Sequence, residues 1–80
     1  MNPQLIRLKL KEEQRRLVAL QYRQNGVRQF YEACLMEGYT EEADRHRVEM
    51  HELVDMQLDA VASCSLLMRS LMDASSDDDS

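Results

Sequence analysis

Glu37-Gly38-Tyr39-Thr40-Glu41-Glu42 is the stretch whose reading decides the fold. A glycine just past a helix end takes the left-handed conformation without the penalty that a Cβ brings. Two residues on, the Thr40 side chain suits the N-cap of a second helix, where its oxygen accepts backbone N–H bonds. Glu41 and Glu42 then place negative charge against the first turn's free N–H groups. A helix stop and a helix start within so few residues make an αα-hairpin. At the other end Asn2-Pro3 reads as an N-cap followed by proline at the first helical position. The sequence therefore predicts helix one over about 3–36, a turn at 37–40 and helix two over about 41–72. Each helix is roughly 50 Å long at 1.5 Å per residue.

The apolar periodicity agrees. Along helix one, positions 6, 10, 13, 17, 20, 24, 27, 31 and 34 hold Ile, Leu, Glu, Leu, Leu, Gln, Val, Tyr and Cys. Along helix two, positions 43, 47, 50, 54, 57, 61, 64, 68 and 71 hold Ala, Arg, Met, Val, Gln, Val, Cys, Met and Leu. Both sets alternate steps of four and three, the spacing of a coiled-coil seam. Folding at the turn puts Cys34 opposite Ala43, Leu20 near Gln57 and Ile6 beside Leu71. Two features compete with this reading. From Ile6 to Lys11 apolar and basic residues alternate as in a strand, but nothing else in the chain offers a second strand. Gly26 costs up to about 1 kcal/mol inside a helix and marks a site where helix one can break, giving three helices.

Composition sets the outer bounds. Eighty residues with ten Lys and Arg against fifteen Asp and Glu make one small domain of net charge −5. One Pro and two Gly exclude collagen-like and Pro-rich linker classes. Cys34 and Cys64 are too few for a disulfide-stapled mini-domain, and no apolar run is long enough to cross a membrane. MNPQLIRLKLKEEQRR lacks the apolar stretch and cleavage site of a secretory leader, so the expected setting is cytoplasmic. Charge is unevenly divided: residues 1–36 carry a net +4 and residues 37–80 a net −9. Either the basic half meets an outside anion or the two halves meet each other. The last stretch, 73–80, is acidic and apolar-poor, and is expected to form a disordered tail.

Few residues suggest chemistry. Glu42, His46 and Glu49 share a helix face, and His51 and Asp55 form an i, i+4 pair. Neither group has the matched Glu-x-x-His repeats or the cysteines of a metal site, so no metal or cofactor is expected. Position 55 is Asp where a His-Glu-x-x-His motif needs histidine, and no glycine-rich phosphate loop or nucleophile elbow is present. An enzyme is not expected. Glu52-Leu53, after Met50-His51, resembles part of the Ser-Gln-Glu-Leu-Asp motif of the small sporulation-phosphorelay phosphatases. Val54 stands where that family has Asp, and no function is carried over from it.

The surplus of apolar residues is more informative. Besides the seam, helix two has Leu58, Ala60, Leu66, Leu67 and Met72, and helix one has Leu5, Leu8, Val18 and Tyr22. Two helices cannot cover all of these, which implies a partner, by default a second copy forming a dimeric four-helix bundle. The expected association interface is Leu5, Leu8, Leu10, Leu58, Val61, Leu66, Leu67, Met68 and Leu71, so that Leu67→Asp disrupts association while Arg45→Ala does little. Lys9, Arg16 and Arg23 recur every seven residues and form a basic row beside the seam. They suit either phosphate contacts to a nucleic acid or pairing with acids of a neighbouring helix. The expectation is an all-α, coiled-coil-like hairpin acting as a regulator, inhibitor or adaptor of a larger protein, such as a phage or bacterial accessory protein. The alternative is a nucleic-acid-binding regulator.

Overall fold

A computed structural model describes residues 2–78 of the chain, with side chains described for 2–74. Two helices, α1 (Pro3–Glu37) and α2 (Thr40–Asp78), fold back on each other as an antiparallel hairpin measuring 64 × 14 × 13 Å. The Asn2 side chain accepts a 2.9 Å hydrogen bond from the Gln4 N–H, with Pro3 next to it at the helix start. Gly38 has φ 81°, and its N–H donates to the Leu35 carbonyl at 3.2 Å while the Tyr39 N–H donates to the Cys34 carbonyl at 2.8 Å. This pair of bonds satisfies carbonyls that the end of α1 would otherwise leave free.

Two boundaries differ from the sequence reading. The Tyr39 carbonyl, not that of Thr40, accepts the first bond of α2, from the Ala43 N–H at 3.0 Å, so Tyr39 is the cap and Thr40 lies inside the helix. At the far end α2 continues past 72 to Asp78, so the part of the expected tail within the described residues is helical. No glycine or proline interrupts 73–78, and half-buried Ala74 extends the apolar seam by one further position. Helix α1 is continuous through Gly26, so the three-helix alternative does not occur. A Cβ at Gly26 would meet nothing within 4 Å, which means the glycine serves neither a kink nor a close approach.

The seam of α1 runs where periodicity places it. Positions 6, 10, 13, 17, 20, 24, 27, 31 and 34 are all buried or half-buried, and apart from Pro3 and Gly26 the other described residues of α1 are exposed. The seam of α2 follows a different phase. Its half-buried and buried row is Ala43, His46, Met50, Leu53, Gln57, Ala60, Cys64, Leu67, Leu71 and Ala74, accompanied by Glu49 and Ser63. Arg47, Val54, Val61 and Met68, expected in the seam, are exposed; the residue just before each of them takes its place. The small side chains of Ala43 and Ala60 are almost fully enclosed and let the two backbones approach closely. Midway along, Gln57 Nε2 donates to Gln24 Oε1 at 2.6 Å, a polar layer that pins the register of the two helices.

Candidate functional site

The ion pairs among the described residues involve exposed or half-buried side chains, and none of the described residues is a buried charge. On one flank Arg23 Nη2 lies 3.5 Å from Glu49 Oε1, joining the helices, while Arg16 Nη1 lies 3.4 Å from Glu13 Oε2 within α1. Lys9 borders a shallow groove on the same flank, together with Glu12, Glu13, Ser63, Leu66 and Leu67. The basic row of Lys9, Arg16 and Arg23 thus exists in space, and two of its three members face carboxylates of the chain itself. Among the described residues the basic first half and the acidic second half are joined by an ion pair at Arg23 and Glu49 alone, and an exposed pair of this kind contributes only about 0.2–1 kcal/mol.

The histidine and cysteine positions are equally plain. His46 stacks on Phe30 with ring centroids 6.0 Å apart, and its buried Nδ1 has no hydrogen-bond partner, standing 3.8 Å from Glu49 Oε2. Cys34 Sγ is 4.0 Å from Glu42 Oε2, and both cysteines are free thiols. Among the described residues no group of three His, Cys, Asp or Glu side chains is placed to hold a metal ion. Among the described residues no helix is long and apolar enough to cross a membrane.

The expected association residues divide into three groups. Leu10, Leu67 and Leu71 belong to the intramolecular seam and are half-buried there, with Leu67 also bordering the groove beside Lys9, so Leu67→Asp would perturb the hairpin itself as well as an outside contact. Leu5 and Leu8 lie on the outer face of α1, and Leu66 borders the charged flank. Leu58, Val61 and Met68 remain together on the opposite flank of α2. There they join Val54, which the sequence reading had placed in the seam. The row Val54, Leu58, Val61, Ser65, Met68 steps by four and three, the same rhythm as the seam, and all five residues are exposed. Val54 is 39% exposed, Val61 46% and Met68 52%. A second coiled-coil seam therefore runs along α2, about a quarter turn around the helix from the first, since each residue advances about 100°.

This surface defines an antiparallel helical hairpin with one seam filled and one open. No family model matches the chain, no curated protein matches it, and no solved structure matches it.

Proposed function

We propose that the chain is a non-enzymatic protein-interaction module, a phage or bacterial accessory protein that self-associates as a dimeric four-helix bundle and acts as a regulator, inhibitor or adaptor of a larger protein. The observation that carries this reading is the open second seam of α2, Val54 to Met68, a contiguous exposed stripe in which four of the five residues are apolar. An extended apolar stripe in water is unfavourable by about 25 cal/mol per Å² left exposed, so it favours a covering helix. Cytoplasmic residence fits the two free thiols. Light scattering on the eluting protein at low and high salt tests the reading: a dimer that persists in high salt and is lost in Val61→Asp agrees with it. A monomer at every concentration overturns the self-association.

A second reading rests on the spatial row of Lys9, Arg16 and Arg23, which suits phosphate groups spaced along a nucleic acid. Carboxylates beside Arg16 and Arg23 weaken it. Binding to duplex or single-stranded DNA that falls steeply with salt would support this reading, and no binding at low salt would exclude it.

A further inference from the structure

Resting on the self-association just described, we propose that the open seam of α2 is covered by the same seam of a second copy, the two α2 helices running antiparallel about a two-fold axis at Val61 and Ala62. The row is nearly palindromic about this point. Val54 and Met68 each stand seven residues from Val61, and Leu58 and Ser65 flank it at three and four. An antiparallel two-fold contact places Val61 against its own counterpart and Val54 against Met68 of the partner subunit, twice over.

Charge on the bordering row selects this arrangement. Val48, Asp55, Ala62 and Arg69 recur every seven residues on the side of the stripe that faces away from α1, and all are exposed. Among the described residues Asp55 and Arg69 take part in none of the ion pairs. They lie seven residues on either side of Ala62, so the same axis brings Asp55 beside Arg69 of the partner subunit, and Arg69 beside Asp55 of the partner subunit. A parallel contact would instead carry the two copies of this row to opposite sides of the interface, where neither Asp55 nor Arg69 meets its counterpart row. Ala62 at the axis is small and lets the helices close up.

Area and direction agree. The chain exposes 6442 Å², whereas a compact monomer of its mass exposes about 5,000 Å². That surplus exceeds the roughly 800 Å² per partner that a stable dimer buries. The open seam lies near a right angle to the filled one, and the two-fold axis then places both copies of α1 on the same side, which closes a square four-helix bundle. Along its own matching flank α1 offers Gln14, Val18 and Gln21 at its middle, with Arg7 and Arg28 toward the two ends.

Sedimentation equilibrium of the full chain at low salt tests the pairing. Asp55→Arg and Arg69→Asp are each expected to weaken the dimer about tenfold or more, because each turns two attractions into two repulsions. Asp55→Arg/Arg69→Asp is expected to return within about threefold of the original, with helix content unchanged throughout. As an independent measure, chains carrying Val54→Cys and Met68→Cys, both in a Cys34→Ser/Cys64→Ser background, are mixed and oxidised. Disulfides between the two kinds of chain agree with the proposal. A dimer indifferent to both charge reversals, or disulfides only between like chains, overturns the antiparallel pairing and leaves self-association standing. A monomer at all concentrations overturns both.

Discussion

Leu53, Ala60 and Leu67 lie one residue before Val54, Val61 and Met68, yet the first three are in the seam and the second three face outward. The two rows of α2 are nearly equal in apolar character and differ only in what stands opposite them. The first row faces α1, and the fate of the second depends on something beyond the hairpin. Hydrophobicity alone therefore does not say which residues hold a fold together; their angular position relative to a neighbour does.

The comparison is most sharply broken by truncating the neighbours Leu53 and Val54 in turn. Leu53 is 4% exposed, and Leu53→Ala is expected to cost about 2–5 kcal/mol of hairpin stability in urea or thermal unfolding under dilute conditions. Val54→Ala in the same assay is expected to change stability by about 0.5 kcal/mol or less. Equal costs would mean that the two rows share one core. Adding volume probes the same pair of rows from the other side. Ala60 is fully enclosed, so Ala60→Leu is expected to force the helices apart and destabilise by about 1–3 kcal/mol. Val61→Leu is expected to leave the unfolding midpoint nearly unchanged, because its side chain has room outside.

Glycines give the smaller effects. Gly38→Ala places a Cβ at φ 81° and is expected to cost about 1 kcal/mol of stability, read as a lower melting temperature. Gly26→Ala is expected to raise stability by about 0.5–1 kcal/mol, since the backbone there is helical and the space beside it is open. A loss on Gly26→Ala would show that a second surface approaches that position.

The hairpin was legible in the sequence because its punctuation is local. Gly38 acts within a few bonds, and no other segment needs to be known to read it. The seam of α1 was legible for a different reason: on either side of it stand Arg7, Gln14, Gln21 and Arg28, or Lys9, Arg16 and Arg23, so only one phase is apolar. In α2 the pairs Leu53/Val54, Ala60/Val61 and Leu67/Met68 leave two phases nearly equivalent, and the choice is made by packing against α1. One signal separates them: the phase through Val54 carries Arg47 into the core, while the phase through Leu53 carries His46 and no obligate charge. The open seam was legible only in part for the same reason: Leu58, Val61 and Met68 stand among the expected association residues, while Val54, Val61 and Met68 also fall in the phase assigned to the closed seam. The extension of α2 past 72 was missed because helical continuation needs only the absence of a breaker, which an acidic composition conceals.

The rod shape has a hydrodynamic consequence. A compact chain of this length has a radius of gyration of about 12 Å, whereas the hairpin has 18.2 Å. On a column calibrated with spherical standards a single hairpin migrates ahead of its true size. Pairing side by side doubles the mass while adding almost nothing to the 64 Å length. Friction therefore rises much less than mass, and the frictional ratio falls toward that of a sphere as the second copy docks. Sedimentation velocity is the sensitive reporter of that event, because the sedimentation coefficient rises with mass while drag hardly changes.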